Sequence, residues 1–303
     1  MNESKGPPRP SFLRIAKQHG IVPSKRYGQH FLVNEGVLER IVTEAHVSAE
    51  TTVLEIGPGI GNLTWHLAMS GGMVVAVEKD RRLEPVLRDV LGQFPNVTLI
   101  YGDARTIDLE RELADRKLPH PSIMVANLPY NVAATLLLHY LARYPWLERY
   151  IVMVQKEVAD RIVAKPGHAS YSGLSVKFQA LADARRLFDV SRGSFWPPPD
   201  VTSSVIELVR NPRTNRLDEL FSLVDAAFAQ RRKTIANSLA HSGFGEISRA
   251  DIPRVLEDAG IQPGIRPERL GVDAFFRVLE AMDRMRQLQT HEKSKLSGRR
   301  ARE

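Results

Sequence analysis

The sequence predicts an α/β protein: a Rossmann-like, mainly parallel sheet followed by a small C-terminal helical domain. Three observations lead there. Five apolar runs of strand length, VLEI (53–56), MVVAV (73–77), VTLIY (97–101), SIMVA (122–126) and YIVMV (150–154), alternate with amphipathic stretches. The runs are almost continuously apolar, as strands covered on both faces must be. After Asn211-Pro212-Arg213 the strand signal gives way to helical spacing.

Ahead of the first run, Phe12, Ile15 and Ala16 share one face of a short helix within 11–20, which Gly20 stops. Val37, Leu38, Ile41, Val42 and Ala45 repeat at helical spacing. NLTWHLAMS separates the first two strands as a helix, and RLEPVLRDVLGQF follows the second. Segments around Ala180–Val190 and Thr202–Val209 are further strand candidates, close enough in sequence to pair antiparallel at the sheet edge. From Leu217 onward Leu220, Phe221, Val224, Ala227 and Phe228 lie at helical spacing, and ISRADIPRVLEDAG and VDAFFRVLEAMDRM are helical too. The expected organisation is a disordered leader (1–10), a Rossmann-like domain (11–212), a small helical domain (213–287) and a disordered basic tail (288–303).

Composition narrows the function. With 43% hydrophobic and 25% charged residues, the 303-residue chain has an ordinary globular balance. The absence of cysteine excludes disulfides, iron–sulfur clusters and thiolate zinc sites. The nine histidines show no ligand spacing, so no metal is expected. No apolar run is long enough to span a membrane, and MNESKGPPRP lacks a signal-peptide core, so a cytoplasmic location is expected. The net charge of +7 favours a polyanionic partner such as nucleic acid.

VLEIGPGIGNLT places Gly57, Gly59 and Gly61 between a strand and a helix, where parallel α/β sheets bind ligands. The spacing is G-x-G-x-G. Asn62 stands where a dinucleotide fingerprint needs its third glycine, and Glu55 precedes the loop. An acid there is poorly suited to a diphosphate and suits the ammonium end of an amino-acid-like cofactor. Glu78 ends the next strand, where a carboxylate can accept from ribose hydroxyls. Asp103 follows the third strand, placed to accept from an adenine amino group. Alone, each acid reads as a solvated strand-end carboxylate. At successive strand ends they resemble the S-adenosylmethionine site of Rossmann-like methyltransferases.

Asn127-Leu128-Pro129-Tyr130 follows the fourth strand. An exocyclic amine on adenine is a weak nucleophile, because its lone pair is delocalised into the ring. Acceptors on both N–H bonds favour a more tetrahedral nitrogen, and the Asn127 side-chain oxygen and the Leu128 carbonyl are the candidates. Pro129 stiffens the turn, and Tyr130 is placed to stack on a flipped base. Phe195, within SFWPPPD (194–200), is a second aromatic candidate, whereas Trp196 reads as filling a surface crevice.

These motifs, with YGQHFLVN (27–34), QKEVADRI (155–162), FWPPPDVTSSVIEL (195–208), RRKTIANSL (231–239) and RPERLGVDAFF (266–276), resemble the ribosomal RNA adenine dimethyltransferase family. The likeness is strongest to its bacterial members that dimethylate two adjacent adenines near the 3′ end of small-subunit ribosomal RNA. It spans about residues 11–280. It implies that His30, Leu32, Gly57, Glu78, Asp103 and Asn127 contact S-adenosylmethionine and that Tyr130 and Phe195 hold the target adenine. The partner implied is ribosomal RNA in the small subunit or its precursor, with 213–287 as a helical RNA-binding domain and Arg231, Arg232 and Lys233 as candidate phosphate contacts. The chain departs from the family at His30, usually Asn, and at Asp200, often Lys. Two alternatives stand beside this reading. One is a large-subunit adenine methyltransferase conferring antibiotic resistance, and the other a non-catalytic ribosome assembly factor.

Overall fold

The computed structural model describes residues 8–24, 28–230, 232–244 and 247–300, with side chains up to Leu288. Most of the expected leader, residues 1–7, lies outside the described residues. The chain forms two compact units. One is residues 1–159 with 182–210, and the other is 160–181 with 211–303.

The first unit begins with α1 (Phe12–Gln18), the two-residue strand β1 (Phe31–Leu32) and α2 (Glu35–Ala45). Alternation then sets in: β2 (Thr52–Ile56), α3 (Asn62–Met69), β3 (Met73–Glu78), α4 (Glu84–Leu91), β4 (Val97–Tyr101), α5 (Leu109–Asp115), β5 (Ile123–Asn127), α6 (Ala133–Arg143) and β6 (Arg149–Gln155). After α7 (Lys156–Val163) and α8 (Gly173–Leu181) come β7 (Ala182–Val190), the short β8 (Phe195–Trp196) and β9 (Ser203–Arg210).

The seven-stranded sheet has the order β4-β3-β2-β5-β6-β9-β7. β2 to β6 run parallel, and β9 and β7 are antiparallel, as their short separation in sequence predicts. β2 pairs with β3 on one side and β5 on the other, so the strand order reverses there. A parallel sheet opens its ligand crevice at such a reversal, outside the carboxyl ends of the strands. The β2, β3, β5 and β6 side chains are almost entirely buried, in line with their continuous apolar sequences. β1 and β8 form a separate ribbon that pairs Phe31 with Trp196 and Leu32 with Phe195.

The helices α5 and α6, and α7 and α8, carry no separate forecast from the sequence. α5 is a single short stretch whose start is set by Asp108, which accepts from the Arg111 N–H at 3.2 Å.

The second unit holds α8 together with α9 (Leu217–Phe228), α10 (Ile235–Ser242), α11 (Ile252–Asp258) and α12 (Val272–Arg300). The expected boundary at 212/213 is therefore incomplete, because residues 160–181 join the C-terminal helices. The cause is local packing. Val176 and Ala180 share a core with Leu220, Leu223 and Val224, and Gly173 lets α8 approach α9, since a Cβ there would lie 3.2 Å from Val224. The expected disordered tail from 288 is also corrected, since α12 continues to Arg300. Its Gln, Glu, Lys and Arg residues are good helix formers, and extension of a nucleated helix needs no apolar stripe. Among the described residues no helix is long and apolar enough to cross a membrane.

Candidate active site

A cleft of about 280 Å³ opens at the carboxyl ends of β2, β3, β4 and β5. Its walls include Gly28 to Phe31, Gly57, Gly59, Glu78, Lys79, Asp103, Arg105 and Asn127 to Val132. Glu78, Asp103 and Asn127 come together here from three different strand ends, as do Leu128, Pro129, Tyr130 and His30 from the flanking loops.

The glycines divide by role. Gly57 and Gly59 line the cleft. Gly59 has φ +60°, and a Cβ on it would lie 2.7 Å from the Phe31 ring, so both the backbone and its neighbour require glycine. Gly61, which the sequence assigns to the cofactor, faces α4 instead. Its φ is +86°, and a Cβ would lie 3.2 Å from Val90 and 3.4 Å from Leu87. Asn62, in place of the third dinucleotide-type glycine, donates from Nδ2 to the Leu32 carbonyl at 2.8 Å. That bond ties β1 to the start of α3. Leu32 is itself buried and lines a recess behind the loop.

Glu78 is buried at the cleft edge. Its carboxyl accepts from the Gly59 N–H at 3.1 Å and the Asp80 N–H at 2.7 Å. Burial pushes its pKa up to about 7, against the backbone N–H groups of Asp80, Gly59 and Lys79, which favour the charged form. Asp103 is the opposite case. It accepts from Arg105 at 2.6 Å and from the Lys79 ammonium at 2.8 Å. The Arg105 guanidinium above all, and then Lys79, hold its carboxyl well below the usual carboxylate range, so it is ionised at neutral pH.

Glu55 lies deeper. It is 1% exposed and lines a recess of about 30 Å³ rather than the main cleft. Burial pushes its pKa up to about 8, opposed by the Thr64 hydroxyl and reinforced by Glu78. Glu55 Oε2 and Asn62 Oδ1 have no hydrogen-bond partner among the described residues. Both residues line the same recess, with Gly57, Gly59 and Asn127. An unpartnered amide oxygen and an unpartnered carboxyl oxygen beside the glycine loop suit an amino-acid ammonium, whose charge would favour ionised Glu55, or a bridging water.

Asn127, at the end of β5, donates from Nδ2 to the His30 carbonyl at 3.1 Å. A carbonyl can only accept, so this bond fixes the amide orientation and leaves Oδ1 as the acceptor. The Leu128 N–H donates to the Met153 carbonyl at 3.1 Å, and the Val132 N–H donates to the Pro129 carbonyl at 3.2 Å, closing the turn. The Tyr130 hydroxyl lies 2.5 Å from Ser203 Oγ, and its ring stacks on His30 at a centroid distance of 5.7 Å.

Phe195 does not join them. It is 3% exposed, packs in the core with Leu32 and Val205, and is absent from the cleft wall. Arg232 and Lys233 lie just before α10, where Thr234 accepts from the Asn237 N–H at 3.3 Å, and both are exposed. Arg231 lies outside the described residues. Sequence reasoning missed Gln29, Lys79, Arg105 and Ser203. Gln29 donates to Asp80 at 2.8 Å and anchors the 28–31 wall to the end of β3. Lys79 directly follows Glu78 and Arg105 lies two residues beyond Asp103, and that proximity was the available signal.

No group of His, Asp and Glu side chains suited to a metal occurs among the described residues. A parallel sheet with its crevice at the strand reversal, an acid-flanked G-x-G-x-G loop and acids ending β3 and following β4 define an S-adenosylmethionine-dependent methyltransferase. The chain belongs to the ribosomal RNA adenine dimethylase family, whose profile matches residues 23–264. It is 42% identical over 265 residues to the ribosomal RNA small subunit methyltransferase A of Magnetococcus marinus, covering 86% of this chain and 92% of that protein. To the protein of the same name from Thermobifida fusca it is 41% identical over 276 residues, covering 88% and 93%. Among solved structures it is similar to a dimethyladenosine transferase from Plasmodium falciparum, with a TM-score of 0.71, 25% identity and coverage of 84% and 98%. It is also similar to the 23S rRNA methyltransferase ErmE, with a TM-score of 0.62, 26% identity and coverage of 84% and 99%.

Proposed function

We propose that this chain dimethylates the N6 amines of two adjacent adenines near the 3′ end of small-subunit ribosomal RNA, acting on the small subunit or its precursor in the cytoplasm. The observation that carries the reading is Asn127. Its amide is locked by the His30 carbonyl with Oδ1 left as an acceptor, at the rim of a cleft whose other end is built from Glu78 and Asp103. S-adenosylmethionine supplies an electrophilic methyl group on a positively charged sulfur.

The chain's own residues do the rest. Glu78 accepts from the ribose hydroxyls, and Asp103 from the adenine amine of the cofactor. Gly57 and Gly59 let the main chain approach closely, and Glu55 and Asn62 provide acceptors at the amino-acid end. Asn127 Oδ1 and the Leu128 carbonyl take the two N–H bonds of the target amine in the first transfer, and one of them takes the remaining N–H in the second, which frees the lone pair for attack each time. Tyr130 stacks on the base and favours the positive charge that develops on it. As the N–C bond forms, the S–C bond breaks and its electron pair stays on sulfur; the product ammonium is strongly acidic and gives its proton to water after transfer, so the transfer step needs no tuned general base. Arg231, Arg232 and Lys233 neutralise RNA phosphates.

The relatives support the small-subunit assignment. Proteins named for that subunit are 41% and 42% identical to this chain, against 26% for the large-subunit enzyme. The test is methyl transfer to purified small and large ribosomal subunits, followed by mapping of the modified base. Dimethyladenine at two neighbouring small-subunit positions is expected. Modification of a large-subunit adenine would establish the antibiotic-resistance reading, and no transfer to either would establish the non-catalytic one.

A further inference from the structure

We propose that Ser203 is a positioning residue for methyl transfer. Its hydroxyl pins the tip of the Tyr130 side chain to the sheet, so that the ring is aligned before the target base arrives; this rests on the reading that Tyr130 receives that base.

Sheet topology puts the serine there. β9 runs antiparallel to β6, so its first residue lies level with the carboxyl ends of the parallel strands. Ser203 is that residue. It pairs with Gln155, the last residue of β6, on one side and with Val190, the last residue of β7, on the other. Just before it, the Thr202 carbonyl accepts from the Lys156 N–H at 2.9 Å. A short, buried side chain on a main chain held from both sides is a fixed point. Its Oγ lies 2.5 Å from the Tyr130 hydroxyl.

Tyr130 has a use for such a point. Its ring turns about two bonds, Cα–Cβ and Cβ–Cγ. The Leu128 N–H to the Met153 carbonyl, at 3.1 Å, and the Val132 N–H to the Pro129 carbonyl, at 3.2 Å, fix the turn from which the side chain starts. The hydroxyl bond fixes where it ends. Tyr130 is half-buried and lines the cleft, so without that bond the ring could tilt. A tilted stacking surface carries the base with it and moves the amine off the line of the sulfur–methyl bond, and small misplacements of reacting atoms slow transfer. An aligned ring also spares the base the entropy of ordering it.

The adjacent Ser204 supplies the contrast. It is as buried as Ser203, but successive strand residues face opposite sides of a sheet. Its hydroxyl donates to Asp189 at 2.6 Å, which also accepts from the Lys156 ammonium at 2.8 Å. One serine of the pair therefore serves Tyr130 and the other serves the β9–β7 edge.

The test is single-turnover methylation of small ribosomal subunits at saturating cofactor and RNA. Wild type is compared with Ser203→Ala, Tyr130→Phe, the double variant, Ser204→Ala and Tyr130→Ala, with cofactor affinity and melting temperature measured on each. Ser203→Ala is expected to slow transfer about 2- to 13-fold, the rate equivalent of one hydrogen bond's net worth. Tyr130→Phe removes the same bond from the other side and should slow transfer by a similar factor. The double variant should be no slower than Tyr130→Phe, because one bond cannot be lost twice. Cofactor affinity should match wild type for Ser203→Ala, and Ser204→Ala should transfer near the wild-type rate. A wild-type rate for Ser203→Ala overturns the proposal. So do losses that multiply in the double variant, an equal loss in Ser204→Ala, or a parallel fall in the cofactor affinity of Ser203→Ala. Should Ser203→Ala fail to fold, Tyr130→Phe decides alone, since it leaves the sheet untouched, and a wild-type rate for it overturns the proposal. If Tyr130→Ala is impaired while Ser203→Ala and Tyr130→Phe are not, this inference alone fails. If Tyr130→Ala is itself unimpaired, the reading of the base site fails with it.

Discussion

The Asn127 amide is oriented by one hydrogen bond, and the chemistry proposed for it follows from that. Nδ2 is spent on the His30 carbonyl at 3.1 Å, which leaves Oδ1 as the acceptor proposed for the target amine. Preorganised acceptors of this kind cost no reorganisation when charge develops. Asn127→Ala should therefore lower single-turnover methylation by about 10²–10³ while RNA affinity changes little. Transfer at the wild-type rate in a quench-flow assay would remove Asn127 from the chemistry. Glu78 makes a separate prediction. Its buried carboxyl titrates at about 7 in the free protein, and it is the ionised form that best accepts ribose hydroxyls. Cofactor affinity should rise with pH through 7, by about tenfold between about pH 6 and about pH 8, with a proton released on binding. Glu78→Gln should bind more weakly and lose the dependence. Calorimetry that gives one affinity at both pH values for the wild type would contradict this. Glu78, Asp103 and Asn127 were legible in the sequence because each sits at or just beyond the carboxyl end of a strand whose apolar run marks its length. Phe195 was not. Successive strand residues face opposite sides, and with Phe195 and Trp196 adjacent a single step of register decides which ring enters the core. Pairing with Leu32 turns Phe195 inward and leaves Trp196 half-buried on Phe31.

At the scale of elements, the strands were the legible part. Each of the five parallel strands falls within a residue or two of its apolar run. The antiparallel pair was legible as a pair, but not its position, because β9 rather than β7 sits against β6. Helical periodicity settles little for α8, whose Val176 and Ala180 serve the core of the second unit although β7, next in the chain, returns to the first. Burial partners from distant sequence decide that. The glycine loop shows how packing and ligand binding share one motif. Gly57 and Gly59 face the cleft, and Gly61 makes room for α4. Gly61→Ala should accordingly be a stability variant. A left-handed φ of +86° and a Cβ 3.2 Å from Val90 predict destabilisation of about 1–3 kcal/mol in denaturant unfolding. Cofactor affinity under folded conditions should stay within a few-fold of wild type. A large loss of affinity with unchanged stability would return Gly61 to the cofactor site.

For the whole molecule, the division of labour follows the division of the chain. Every residue assigned to the cofactor and the target base belongs to the unit of residues 1–159 and 182–210, whereas Arg232 and Lys233 belong to that of 160–181 and 211–303. The net charge of +7 gives the chain a general affinity for polyanions, and charge alone does not tell which cations meet RNA. Salt dependence does, because each neutralised phosphate releases condensed counterions. Replacing Arg231, Arg232 and Lys233 together by Ala should weaken RNA binding and flatten its dependence on salt, by about 0.7–0.9 in log–log slope for each phosphate that is no longer neutralised. Cofactor affinity should be unchanged, since Arg232 and Lys233 do not line the cleft. A salt titration of RNA binding, run beside calorimetry with the cofactor, separates the two effects. If the triple variant and the wild type bind RNA equally at every salt concentration, the cluster is an exposed basic surface and the phosphates are met elsewhere on the chain.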